Sequence, residues 1–413
     1  MVSFAALRAH LQNRTFYSLR LYPNFRLYWL GALTSNMGTW IQMVAQGWLV
    51  YDLTGSPLYL GIVSFASALP NLFLSLLGGV FADRFERRRL MVGTQTATMS
   101  LAFLLAYLTL AHIVTVWHII VIAFVNGIVF SLNTPVRQTI ISDLVPRKDL
   151  TNAIALGSFQ FQASRMVGPA LAGLIVALVG PGWCFFINGL SFLAVIWALL
   201  AMTVPPLPLA VRASVWRNLT AGLQYVRTSP LIMSLLGLAV VPSVFAMPYS
   251  ALMPAFASSV LRVGAEGYGL LMSAAGLGAV LGALVVASLG KGASRGKLML
   301  GAVAVLGVSL VVFALSSFFV VSLLVLIATG AASMAYSALN QTFLQLRTDD
   351  AMRGRVMSLL TLATFGLQPL GALAAGAVAD VFGPSTAVLL GGLVCASFAL
   401  WVAATNPAIR RLS

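Results

Sequence analysis

Long apolar stretches, separated by short polar breaks, recur along the whole chain. They fall at roughly 27–50, 58–82, 91–112, 118–142, 153–179, 184–204, 231–256, 267–289, 298–315, 319–345, 356–381 and 386–404. Each is close to or above the ~20 apolar residues that a helix needs to cross a bilayer. The pattern predicts an all-α membrane protein with 12 transmembrane helices. One break is longer than the others. Residues 205–230 open with Pro205, Pro206 and Pro208, then set Trp216, Leu219, Leu223, Tyr225 and Val226 among Arg217, Gln224 and Arg227. That spacing predicts a linker whose amphipathic helix lies on the membrane surface. The expected organisation is a basic tail (1–26), a six-helix half (27–204), the linker (205–230), a second six-helix half (231–404) and a short tail (405–413).

Composition agrees with the pattern. Of 413 residues, 60% are hydrophobic and 8% charged, against about 25% charged in a soluble domain. So few charges cannot cover a water-facing surface, which excludes a soluble globular protein. The balance is +15, from 24 Lys and Arg against 9 Asp and Glu. Such an excess can signal nucleic acid, but its distribution argues for topology. The bases cluster at Arg8/Arg14/Arg20/Arg26, Arg84/Arg87/Arg88/Arg89, Arg147/Lys148, Arg212/Arg217/Arg227, Lys291/Arg295/Lys297, Arg347/Arg353/Arg355 and Arg410/Arg411. All of these breaks lie on one side if the spans alternate, and Arg262 lies on the other. By the positive-inside rule that side is cytoplasmic, with both termini there. No nucleic-acid partner is expected; membrane lipids are. The Arg-rich first 25 residues are similar to a transit peptide in composition but read as an inside tail. Cys184 and Cys395 fall in or beside apolar runs and read as packed thiols, with no disulfide or metal pair expected.

The two halves repeat. Gly168 and Gly371 stand 203 residues apart, and at that shift Gly173 meets Gly376, Gly180-Pro181 meets Gly383-Pro384 and Gly189-Leu190 meets Gly392-Leu393. Arg137-Gln138-Thr139 meets Asn340-Gln341-Thr342 likewise. Earlier in the halves the shift is 208, where Arg89-Leu90-Met91 meets Lys297-Leu298-Met299. An ordered series across several breaks indicates duplication. Parallel six-helix repeats suit a transporter that rocks two halves about a central site.

The break after the second run reads Gly79-Val-Phe-Ala-Asp83-Arg84-Phe-Glu86-Arg87-Arg88. It resembles the G-x-x-x-D-R-x-G-R-[RK] loop signature of the major facilitator superfamily, in the same place between second and third spans. Glu86 departs from the usual Gly. The matching loop, Lys291-Gly292-Ala-Ser-Arg295-Gly296-Lys297, keeps bases and glycines but lacks the Asp. The resemblance implies a gating latch of Gly79, Asp83, Arg84, Arg87, Arg88 and Asp143. Asp83 would cap the N-terminus of the eleventh helix near Val356, and Arg87 would pair with Asp143. The alternative is that these bases only set topology. In the fifth run, Arg165-Met-Val-Gly168-Pro169-Ala170-Leu-Ala172-Gly173 resembles the G-P-x-x-G-G core of the superfamily's antiporter signature, with Ala172 replacing one Gly. Ordinary small-residue packing about a Pro kink is the alternative. Asn133-Thr-Pro135-Val-Arg137-Gln138, Val145-Pro146-Arg147-Lys-Asp-Leu-Thr-Asn152-Ala153 and Arg353-Gly354-Arg355-Val356-Met357-Ser358 resemble the bacterial branch of enterobactin-type siderophore exporters and macrolide efflux proteins.

A charge inside a membrane is costly and usually faces a cavity or a partner. Arg137 and Arg165 are thus the prime site candidates. Helical spacing puts Asn126, Asn133 and Arg137 on one stripe of the fourth helix, and Ser158, Gln162, Arg165 and Pro169 on one of the fifth. Asn36, Trp40 and Met43 share a stripe of the first helix, with Gln42 and Gln46 to one side; Ser333, Tyr336 and Asn340 share one of the tenth. The resemblance implies that the first, fourth, seventh and tenth helices line the cavity, with Met247, Tyr249 and Gln368 as further contributors. Two arginines favour an anionic or acceptor-rich substrate. The alternatives are a structural role for each Arg, through helix carbonyls or Asp143, and interhelical glue for each Asn or Gln. The nine acids fall at or near run ends, and Asp380 is the candidate proton carrier. Proton antiport is what the resemblance implies; the residues identify no carrier deep in the membrane.

No H-E-x-x-H, no intramembrane Asp pair and only 3 His argue against a membrane-embedded enzyme. Gly290-Lys291-Gly292 lacks the Ser/Thr and glycine spacing of a P-loop. No cofactor is expected. The expected function is proton-coupled export of small siderophore-like or drug-like molecules by a monomer in the bacterial inner membrane. Uptake is the alternative, with an enzyme or receptor more remote.

Overall fold

A computed structural model describes residues 15–82, 86–202, 215–289 and 294–412. All regular structure among them is helical. The long helices are α1 (Pro23–Thr54), α2 (Pro57–Ala82), α3 (Arg87–Leu110), α4 (Val116–Leu144), α5 (Leu150–Val179), α6 (Pro181–Ala201), α7 (Pro230–Val260), α8 (Ala265–Ala287), α9 (Arg295–Leu315), α10 (Phe319–Arg347), α11 (Asp350–Phe382) and α12 (Pro384–Thr405). Among the described residues, 10 helices are long and apolar enough to cross a membrane. The others, α1 and α2, span 32 and 26 residues and pack alongside them.

Several helices begin before the apolar run that predicted them. α1 starts at Pro23, where the missing N–H costs nothing in a first turn, while Asn24 and Arg26 hide that turn from a hydropathy reading. α11 likewise begins at Asp350, ahead of its apolar run. Glycine sets sharp ends. α1 stops at Gly55, whose φ of 63° lies in the left-handed region, with its N–H on Tyr51 O. α5 and α11 stop alike, at Gly180 (φ 89°) and Gly383 (φ 86°), and Pro181 and Pro384 start the next helices.

The sequence repeat returns as a packing repeat. α2 packs on α4 as α8 does on α10; α3 on α6 as α9 on α12; α5 on α8 as α11 on α2. A Cβ at Gly127 would lie 2.0 Å from Ser67 O, and a Cβ at Gly330 would lie 2.0 Å from Ala275 O. A Cβ at Gly173 would meet Ala265 O at 2.5 Å, and one at Gly376 would meet Pro57 O at 2.9 Å. In both comparisons the glycines stand 203 apart and their partners 208 apart, the two shifts read from the sequence. Small residues let membrane helices approach this closely.

The halves differ in regularity. α7 contains π-helical turns at Pro242–Ala246 and Phe256–Val260, and α11 one at Leu362–Gly366. Pro242, Pro248 and Pro254 remove donors from α7 and disturb its bonding register. α1 and α5, their first-half counterparts, run as continuous α-helix. The bundle has one basic end, bearing Arg88, Arg147, Lys148, Arg295, Lys297, Arg353 and Arg355, and an opposite end bearing Gly55, Gly180, Arg262 and Gly383.

The linker does form a helix, Val215–Thr228. It docks on protein: Gly222 faces Arg355 and Leu359. The Tyr225 hydroxyl donates to Asp349 Oδ2 at 3.1 Å. Tyr22, 203 residues earlier, makes the matching bond to Asp149 Oδ2 at 2.5 Å. Cys184 and Cys395 are buried free thiols.

Candidate functional site

A cavity of about 490 Å3 lies among the first six helices, toward the basic end. Ser35, Asn36 and Thr39 of α1, Gln95 and Thr98 of α3, Asn126, Asn133 and Arg137 of α4, and Ser158, Gln160 and Gln162 of α5 supply its polar wall. Tyr28, Trp29, Phe130 and Phe161 add rings. From α7–α12 the described lining is Met334 of α10. Among the described residues Arg137 is the one cation on the wall and no acid lies there.

Helical spacing explains the composition. Asn126, Asn133 and Arg137 recur every seven and four residues and so face one way. Two amides of the lining each hold one buried atom without a partner among the described residues. Gln160 is 5% exposed and its Nε2 has no partner among the described residues; Asn133 Oδ1 also has none. An unpaired buried polar atom costs roughly 1–3 kcal/mol, and both atoms are closed off from the cavity, where an enclosed water is their natural partner. Trp29 is satisfied, donating Nε1 to Leu156 O at 2.9 Å. Gln162 Nε2 reaches Met334 Sδ at 4.0 Å, a weak contact across to the second half.

The other predicted pathway residues lie elsewhere. Arg165 sits over the Trp40 ring, 5.9 Å from its centroid, and Phe161 meets the same ring edge-on at 6.1 Å. Spacing put Arg165 on the stripe of Ser158 and Gln162. It keeps that stripe, within about 20° of Ser158, but lies nearly a turn deeper than Gln162, beside α8, where a Cβ at Gly276 would lie 2.8 Å from Arg165 O. Asn340 is 2% exposed and donates Nδ2 to Leu235 O at 3.0 Å, pinning α10 to α7. Tyr249 and Tyr336 are buried, and Gln46 and Gln368 half-buried, outside the cavity lining. Gln160, Gln95, Thr98 and Tyr28 escaped the sequence reading, although Gln95 and Thr98 stand one helical turn apart in the third run.

Most of the expected latch falls beyond the described residues. Asp83 and Arg84 lie outside them, as does the side chain of Arg87, and with these go the expected cap on α11 and the Arg87–Asp143 pair. Gly79 lies in the last turns of α2 and Asp143 in the last turn of α4. Arg88 binds backbone carbonyls. Its Nε donates to Leu199 O at 2.7 Å and its Nη2 to Leu200 O, so it caps the electronegative C-terminus of α6. Glu86 pairs with Arg89 at 2.8 Å.

At the opposite end the halves close on each other. A Cβ at Gly168 would lie 2.6 Å from Trp40 Cβ, so this glycine lets α1 approach α5 beside Pro169. Gly173 and Pro169 then lie against Gly269 of α8, and Gly61 lies against Ala372 and Gly376 of α11. The Ser56 hydroxyl donates to the exposed Asp380 carboxylate across the same seam.

A duplicated set of membrane-spanning helices, with a polar cavity in the first half, marks a multi-pass transporter of the major facilitator superfamily. Solved structures agree on the fold. The nucleoside transporter NupG superposes with a TM-score of 0.74 at 15% identity, covering 93% of this chain and 99% of that one. The chain belongs to the transmembrane secretion effector family, which matches residues 15–412. It is 27% identical to the staphyloferrin A transporter of Staphylococcus aureus, over 84% of this chain and 87% of the relative. It is 27% identical to the multidrug efflux pump Tap of Mycolicibacterium fortuitum, over 85% and 88%. Identity to the enterobactin exporter EntS of Shigella boydii is also 27%, over 89% and 88%. The family is one of transporters, not enzymes.

Proposed function

We propose that the protein exports small organic molecules from the bacterial cytoplasm by alternating access, driven by inward proton flow. The observation that carries this reading is the placement of the polar cavity at the basic end with the glycine seam shut at the other. With the basic end in the cytoplasm, as the positive-inside rule requires, the cavity is poised to load from within. Rocking the halves 27–204 and 231–404 would open the seam at Gly173 and Gly376 and release the cargo outside. The names of the relatives support siderophore-like or drug-like cargo. The protein acts as a monomer in the inner membrane, both termini inside.

Metabolite profiling of a deletion strain and its complemented parent tests the direction. Export predicts at least one organic compound that falls in the medium and rises inside the cells on deletion. Uptake, the alternative on the same fold, predicts the reverse. In proteoliposomes an imposed pH gradient should accelerate movement of that compound. Transport indifferent to the gradient removes the proton from the mechanism. Asp380 is the sequence's candidate carrier; its bond to Ser56 also suits it to hold the seam. Asp380→Asn separates the roles, since a carrier mutant loses gradient-driven transport and keeps downhill exchange.

A further inference from the structure

Resting on the reading of the cavity as the cargo site, we infer that the cargo is an acceptor-rich organic anion, gripped by the first half through Arg137. Arg137 is the one cation on a described wall that holds no acid. A guanidinium in such surroundings lacks the partner that would repay its desolvation, and an anion brings that partner with it. The rings of Tyr28, Trp29 and Phe130 give the rest of the wall an apolar face, which suits an organic body over an inorganic ion. A volume of about 490 Å3 falls in the range of small-molecule sites. A lipophilic cation would meet Arg137 with no carboxylate to hold it, so it is rejected. The second half contributes Met334, a polarizable wall without charge.

Charge-selective labelling reads this without a transport assay. Ser158 is exposed on the cavity wall, and both native cysteines are buried, so Ser158→Cys introduces one reactive thiol. The purified full chain in detergent is reacted with an anionic methanethiosulfonate (ethylsulfonate) and a cationic one (trimethylammonium), the rates normalised to those of free cysteine. The anionic reagent should be favoured by about tenfold or more. Arg137→Gln should abolish the preference and Arg137→Lys should keep it. Citrate should slow labelling, and tetraphenylphosphonium should not. A cationic or absent preference overturns the inference, as does a preference that survives Arg137→Gln or vanishes in both variants. A Ser158→Cys thiol that reacts with neither reagent overturns the cargo-site reading itself. An anionic preference in a protein whose deletion shifts no metabolite outward leaves this charge assignment standing and removes export.

Discussion

The halves share a backbone plan and use it differently. At three close junctions, Gly127 and Gly330, Gly173 and Gly376, and Gly61 and Gly269, the second half repeats the first with the same offsets. Yet at the shared register position the first half places Arg137 on a cavity wall, while the second buries Asn340 against Leu235. Backbone approach tolerates no side chain, so duplication preserved it. Side chains that face the space between helices carry no such constraint, and there the halves diverged into a polar chamber and a packed, π-kinked counterpart.

The largest expected effect tests the shared part. Gly127→Leu and Gly330→Leu each drive a Cβ to within 2.0 Å of a carbonyl oxygen. Overpacking typically costs about 1–3 kcal/mol where neighbours can yield; a helix backbone yields little. Both variants should lose most monodisperse protein on size-exclusion chromatography. Gly93→Ala and Gly301→Ala, where a Cβ meets nothing within 4 Å, should keep it. A folded Gly330→Leu beside a lost Gly127→Leu would show that the halves do not share the same packing.

Next comes the diverged part. Arg137→Gln should leave the melting temperature near the parent's and reduce export about tenfold to a hundredfold, the worth of a charge-assisted bond of roughly 1.5–3 kcal/mol. Asn340→Ala should do the reverse, keeping cargo affinity while losing about 0.6–1.7 kcal/mol of stability, the range for interhelical hydrogen bonds in membranes. Export rate and thermal melting, measured on both variants, check the pair. If Asn340→Ala loses affinity without losing stability, the second half belongs to the site.

How much of this was legible follows from the same division. Helix number and the repeat could be read because long apolar runs and turn glycines are local signals. The stripe of Asn126, Asn133 and Arg137 was legible from spacing alone. Asn340 was not, since its identical spacing says nothing about whether a neighbouring carbonyl or a cavity faces it. Arg165 keeps its stripe, but spacing does not give depth, and it lies nearly a turn beyond Gln162, over Trp40. Gln160 stayed hidden because it lies off the stripe drawn through Ser158 and Gln162. The linker's amphipathic pattern suggested a membrane surface; that one edge docks on α11 depends on Gly222 and Asp349, which hydropathy does not weigh.

The Tyr–Asp struts at the basic end give the smallest effect. Tyr22 and Tyr225 stand 203 residues apart, and each tethers the entry of one helix to the start of another. The hydrogen bond to Asp149 pushes the Tyr22 phenol up to about 12, with partial burial and the carboxylate's charge adding to it. The sign follows from what ionisation destroys. A tyrosinate cannot donate to a carboxylate and is repelled by it, so the strut contributes fully below pH ~10, the ordinary tyrosine value. It is lost as pH climbs through the folded value. Difference absorbance between the parent and Tyr22→Phe should therefore show no tyrosinate from this residue through pH ~11, and Asp149→Asn should bring its ionisation back toward ~10. A Tyr22 that ionises at its ordinary value in the parent would break the match between the struts, leaving Tyr225 and Asp349 as a device of the second half alone.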